Sequence, residues 1–271
     1  MELAQASIVV TGAGSGIGLA LCKRFAIEQP RAIALLDCDA ASVERAATQL
    51  ASAFPAIHVS WHQVDVSQES QVIDLVDAVT QADGFIDLFC GNAGIGTALG
   101  IDAPNEVWQH AMDVNLMAHV YAARALLPAW LEQGRGYYLL TASAAGLLSN
   151  LGDAPYSVSK HGAVALAEWM SITYGDQGVG VSCLCPQGVR TPLLFPGTNS
   201  PTEHAVALAV VRAQRILEPT EVADCVVTAI NAEQFLILPH QEVAAYEQAR
   251  AGNRERWLGA MRRLQAQIGS K

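Results

Sequence analysis

The stretch Ala6-Ser7-Ile8-Val9-Val10-Thr11-Gly12-Ala13-Gly14-Ser15-Gly16-Ile17-Gly18 decides the fold. An apolar run rich in β-branched residues leads directly into glycines at every second position, and helix-forming residues follow from Leu19. Strand, tight turn and helix in that order begin a βα unit. Glycine lets the backbone turn sharply and approach a bound group, while the unpaired N–H groups and positive dipole end of the helix meet an anion. Gly12, Ser15, Gly16, Ile17 and Gly18 are therefore the candidate cradle for a pyrophosphate. A merely flexible glycine turn is the competing reading, and the placement between the first strand and the first helix weighs against it.

Working outward, six further apolar runs at 32–37, 58–64, 86–90, 136–142, 179–185 and 235–239 bring the candidate strands to seven. Continuous rather than alternating apolar runs are how strands buried on both faces of a parallel sheet read. Helices are predicted at 15–28, 40–53, 68–82, 104–133, 154–177, 203–216 and 219–232, with Ser67 as an N-cap and Pro155 and Pro219 in first turns. The pattern predicts an α/β chain: a doubly wound, Rossmann-type, seven-stranded parallel sheet with helices on both faces and right-handed crossovers. Ligands are expected where the strand order reverses, at the carboxyl ends of the strands. Across 271 residues no Pro/Gly/Ser-rich linker divides the chain, so a single domain over 1–271 is expected.

Lys and Arg number 16 against 26 Asp and Glu, giving a net charge of −10, which argues against nucleic acid and anionic lipid as partners. No apolar run is long enough to span a membrane, and Met1 to Ser7 lacks the basic start of a secretory signal, so a cytoplasmic protein is expected. The six cysteines, Cys22, Cys38, Cys90, Cys183, Cys185 and Cys225, show no metal-ligand spacing and read as buried reduced thiols. No metal site is expected.

Asp37 closes the second strand, where a carboxylate can accept hydrogen bonds from both hydroxyls of an adenosine ribose and repel a 2′-phosphate, which selects NAD. Tyr156 and Lys160 stand one helical turn apart on one face. Free tyrosine ionises near pH ~10, so its use as a base at neutral pH requires a drop of about 3 units, which a nearby ammonium and the positive ring of an oxidised nicotinamide could supply. Ser143 ends the fifth strand at the same sheet edge and can donate to a substrate oxygen. Asn115, in the long helix before it, could hold a water beside the lysine. Singly, each has an ordinary structural explanation; together they point to proton transfer.

These residues resemble the short-chain dehydrogenases/reductases in their compact form, over about residues 6–239. The resemblance rests on TGAGSGIG at 11–18, Asp65-Val66, Asn92-Ala93-Gly94, Asn115, Ser143, Tyr156-Ser157-Val158-Ser159-Lys160 and the turn from Pro186 to Thr191. It implies that Asp65 and Val66 contact adenine, that Asn92, Ala93 and Gly94 lie along the cofactor, and that Asn115, Ser143, Tyr156 and Lys160 form a catalytic tetrad. It further implies that Lys160 binds the nicotinamide ribose, that Val189 and Thr191 hold the carboxamide, and that the chain forms a homo-oligomer, tetramer or dimer. Two departures stand out: Gly91 where the family usually has asparagine, and Pro186-Gln187-Gly188 where it usually has Pro-Gly.

By the same resemblance, about 190–219 covers the substrate side, with Leu193, Leu194 and Phe195 at its start; Leu147, Leu148 and Leu151 would form another wall, unless these residues are core. Past the seventh strand a helical extension at about 240–271 carries Trp257, Met261, Leu264 and Ile268 as one apolar stripe, for intrachain packing or an interface. The leading expectation is an NAD-linked dehydrogenase or reductase of a small to medium apolar secondary alcohol or ketone. A 3-oxoacyl reductase for carrier-bound acyl groups and a non-catalytic NAD(H) redox sensor are the alternatives.

Overall fold

The computed structural model describes residues 1–195 and 215–269. The seven strands are β1 (Ser7–Thr11), β2 (Ala32–Asp37), β3 (His58–Gln63), β4 (Leu88–Gly91), β5 (Gly136–Thr141), β6 (Val179–Leu184) and β7 (Leu236–Ile237). All pair in parallel, in the order β3-β2-β1-β4-β5-β6-β7, so the order reverses between β1 and β4. The helices are α1 (Gly16–Ile27), α2 (Ala40–Ala53), α3 (Glu69–Asp83), α4 (Asn105–Met112), α5 (Ala118–Gln133), α6 (Ala145–Leu148), α7 (Ala154–Tyr174), α8 (Pro219–Asn231), α9 (Glu242–Gly252) and α10 (Arg254–Gly269).

Alternate residues of each inner strand feed two cores. Ile8, Val10, Leu88, Cys90 and Leu139 pack on one face of the sheet, with α1, α2 and α8 over them. Val9, Phe89, Tyr138, Leu140 and Cys183 pack on the other, under α3, α5 and α7. Each fully buried Val, Leu or Phe contributes roughly 1.5–3 kcal/mol, so the apolar runs themselves hold the central strands.

Several expectations are corrected. β3 is an edge strand with no buried residue: His58, Trp61 and Gln63 are exposed, Trp61 at 40%, so its apolar content does not signal burial on both faces. Ser67 does not cap α3: its N–H and hydroxyl both go to Asp65 Oδ1, at 3.0 and 2.7 Å, and Gln68 takes the cap position. The helix expected over 104–133 is interrupted by a π-helical segment at Asp113–Met117. Cys38 and Cys225 are exposed, unlike the other four thiols. The terminal stretch is two helices parted at Asn253, with Tyr246 and Trp257 packed on the second core and Leu258 44% exposed. The helix expected at 203–216 lies almost wholly outside the described residues.

Candidate active site

The glycine turn is built for backbone approach. Gly12 and Gly16 have φ of +64° and +54°, and a Cβ on Gly18 would stand 2.2 Å from the carbonyl oxygen of Gly12. A side chain at Gly12 or Gly18 would press on backbone, and one at Gly12 or Gly16 would be strained by the positive φ. Ser15 precedes α1 in an extended conformation, and its side chain makes no capping bond. Ile17 packs against the first core and fixes the helix start. The free N–H groups and open surface left by the missing side chains fit the pyrophosphate of a dinucleotide.

Asp37 reaches this turn directly. Its Oδ2 accepts from the N–H of Gly14 at 3.0 Å and its Oδ1 from the N–H of Asp39 at 3.1 Å. Asp39, in turn, caps α2 by accepting from Ala41 and Ser42. Thr11 joins the turn to the neighbouring strand end: its Oγ1 accepts from the N–H groups of Asn92 and Ala93 at 2.8 and 2.9 Å, and Asn92 Nδ2 donates back to the Thr11 carbonyl at 3.0 Å. Val66 packs on the second core and lines a cavity of about 10 Å³, room for about one water, together with Thr11, Ala93 and His119. Gly91 borders that cavity. A Cβ there would stand 2.5 Å from His119 Nδ1, so the buried imidazole occupies the space that a side chain at 91 would need. Burial pushes the His119 pKa down to about 3.

Across the reversal point, β5, α7 and the π segment bring the four acid/base candidates together. Asp153 caps α7 by accepting from the Tyr156 N–H at 3.1 Å; it also takes Thr97 N, Thr97 Oγ1 and Ala98 N, which ties the 92–98 loop to the same helix start. The Asp153-Ala154-Pro155 sequence carried the signal for this cap, through the residue type before an N-terminal proline. Ser143 is buried close to Tyr156, donates to the Pro186 carbonyl at 3.4 Å and accepts from Ala145 N. Lys160 Nζ donates to the Thr141 carbonyl at 2.9 Å and lies 5.8 Å from the centre of the Tyr156 ring. Asn115 is fully buried in the π segment; its Oδ1 accepts from Ile95 N and its Nδ2 donates to Ile95 O and Ser159 Oγ. A Cβ built on Gly94 would lie 3.2 Å from both Asn115 Oδ1 and Lys160 Nζ, which places the Asn92-Ala93-Gly94 turn against both side chains.

Burial sets the charges at the site. Burial raises the Tyr156 pKa above its ordinary value, and the nearby Ser143 hydroxyl only partly opposes this. Burial also brings Lys160 down from 10.5 to about 8. The protein alone thus holds the tyrosine protonated.

On the third side, Val189 forms a parallel bridge with Leu217, and Thr191 packs 3.1 Å from the Cβ position of Gly16, so the turn after β6 closes over the glycine cradle. Gln187 donates its N–H to His240 Nδ1, while its own Oε1 is buried with no partner among the described residues. Neither His240 nor Thr11 was singled out by sequence reasoning; both act through backbone contacts that residue type does not announce. Leu147 and Leu148 belong to the core, whereas Leu193 and Phe195 are 47% and 38% exposed and stay available to a ligand. Among the described residues no cluster of His, Cys, Asp and Glu could hold a metal, and no helix is long and apolar enough to cross a membrane.

The short chain dehydrogenase family model matches residues 6–199. The chain is 32% identical over 246 residues to the 1-deoxy-11-beta-hydroxypentalenate dehydrogenase of Streptomyces exfoliatus, covering 89% of this chain and 86% of that one. Its fold matches a short chain dehydrogenase/reductase from Burkholderia phymatum in complex with NAD, with a TM-score of 0.85 and 30% identity over 94% of this chain and 96% of the other. L-sorbose reductase from Gluconobacter frateurii, complexed with NADPH and L-sorbose, matches with a TM-score of 0.77 and 25% identity over 88% and 97%.

Proposed function

This chain belongs to the short chain dehydrogenase family, and on that premise we propose that it moves hydride between NAD(H) and a small to medium, largely apolar secondary alcohol or ketone. The observation that carries the reading is the Ser143, Tyr156 and Lys160 cluster at the carboxyl ends of the strands, facing a glycine cradle across the reversal in strand order.

The bound dinucleotide supplies the hydride donor or acceptor and, when oxidised, a positive ring that lowers the Tyr156 pKa. Tyr156 takes the alcohol proton in oxidation and returns it to the carbonyl oxygen in reduction. Ser143, beside Tyr156, turns its one hydroxyl proton from the Pro186 carbonyl to the same substrate oxygen. Lys160, anchored on Thr141, holds the ribose and hands the proton outward past the turn that Asn115 fixes. Gly12, Ser15, Gly16, Ile17 and Gly18 take the pyrophosphate, Asp37 the adenosine ribose, and Asp65 with Val66 the adenine. Asn92, Ala93 and Gly94 line the cofactor's path, and Val189 and Thr191 take the carboxamide.

NAD rather than NADP follows from Asp37, whose carboxylate sits at the turn where a 2′-phosphate would bring like charge. Six free cysteines suit the reducing cytoplasm. A homo-oligomer, tetramer or dimer, is supported by Trp169 and Ile172 on α7, which are 55% and 84% exposed.

Tyr156→Phe is the test. Turnover on a responsive secondary alcohol should fall at least ~10³-fold, while NADH binding, read by its fluorescence, stays within about threefold. Activity surviving the substitution would remove the mechanism.

A further inference from the structure

The imidazole of His240 is 3% exposed and lies between two backbone groups whose hydrogen-bonding sense is fixed. Gln187 N, at 3.1 Å from Nδ1, can only donate; the Arg215 carbonyl, at 3.1 Å from Nε2, can only accept. Only the neutral ring with its proton on Nε2 satisfies both.

Both partners belong to the turn after β6 and the chain that returns beside it. Pro186 O accepts from Ala144 N at 2.9 Å and from Ser143 Oγ. Leu217 N donates to Gly188 O at 3.1 Å, and Arg190 N donates to Leu217 O at 2.9 Å. The turn is therefore held in front by the residues around Ser143, alongside by Leu217, and behind by His240. His240 itself stands on a rigid base, since Cys185 N bonds Ile237 O and Val243 N bonds His240 O.

We propose that His240 is a positioning residue for the nicotinamide side of the site: through Gln187 it sets the Pro186–Thr191 turn, and it does so only as the neutral Nε2–H tautomer. This rests on the reading above that Val189 and Thr191 face the nicotinamide.

Protonation at Nδ1 would turn the acceptor into a donor facing the Gln187 N–H, and the clamp would open. Burial keeps the ring neutral at pH 7 by lowering its pKa below the ordinary 6.5. Glu242 at the start of α9 and the carbonyls of Arg215 and Gly188 favour the charged ring, while the Arg215 guanidinium opposes it. The clamp is intact above the ordinary histidine range and is lost as pH falls through the lowered value.

The test uses His240→Asn, whose amide oxygen can stand near the Nδ1 position as an acceptor, His240→Gln, whose amide nitrogen can stand near Nε2 as a donor, and His240→Leu, which offers neither. Hydrogen exchange of the peptide over 186–191 and NADH affinity by fluorescence are read on each, from pH 5 to 8. His240→Leu should speed exchange in that peptide and weaken NADH about tenfold; His240→Asn should recover both to within about threefold, and His240→Gln should not. Wild-type affinity should fall on acidification, and in His240→Asn that fall should be absent. Wild-type exchange in His240→Leu, or His240→Asn indistinguishable from His240→Leu, would overturn the proposal. If no alcohol is turned over by any form, the hydride-transfer reading fails, while exchange at the turn still decides the clamp.

Discussion

The two sides of the candidate site are prepared in opposite ways. On the β1–α1 side everything is geometry: glycines in left-handed conformations, a Cβ at Gly18 that would strike the Gly12 carbonyl, and Thr11 and Asp37 tying backbone N–H groups in place. On the β5–α7 side the geometry is also set, and burial sets the charges: it raises Tyr156 and lowers Lys160. The contrast teaches that one half is preorganised in shape and the other in potential, so that the buried polar groups of the second half cost stability until a charged cofactor joins them.

Lys160→Met probes this contrast most strongly. Turnover should fall by roughly 10²–10³-fold, yet Tm at pH 7 should not fall. The folded pKa of about 8 lies below the unfolded 10.5, so the lysine favours the fold fully above pH 10.5, and that contribution is lost as pH drops to 8. The shift corresponds to about 3 kcal/mol, absent at pH 7, and a methionine leaves no ammonium to bury. A clear drop in Tm, measured by scanning fluorimetry, would break the comparison.

Gly18→Ala should do the reverse. The added methyl meets backbone at 2.2 Å, so NADH affinity should fall by about 10²-fold and Tm by several degrees, at a cost of about 1–3 kcal/mol for overpacking. Turnover at saturating cofactor should be retained. Asp37→Asn is smaller again: it keeps the shape of the side chain and removes its charge, so the NADP-to-NAD preference should rise about tenfold, read from kcat/KM with each cofactor.

The geometric half was the more legible in the sequence, because a glycine run between an apolar strand and a helix has few uses. That Tyr156, Lys160 and Ser143 come together was legible from spacing and position. What could not be read was how groups are shared. Ser67 has the composition of a helix cap, yet the Asp65 carboxylate takes both its donors. The π segment around Asn115 continues the helical hydrophobic pattern, so one widened turn leaves no mark in periodicity; it shows only as an inward asparagine whose side chain is fully engaged. β3 has strand composition, but whether a strand lies at an edge is fixed by pairing over the whole sheet. His240 and His119 look like ordinary histidines until the backbone groups and the Gly91 gap beside them are seen.

The reversal of strand order between β1 and β4 also has a consequence in time. β1 can pair with β2 as soon as both exist, but its other edge stays open until Leu88, the partner of Ile8, has been reached. Until then Ser7–Thr11, a strand buried along its whole length, displays an unpaired ladder of N–H and C=O groups. Refolding is thus a race between a long-range closure within one chain and strand addition from another, and its yield should fall with chain concentration.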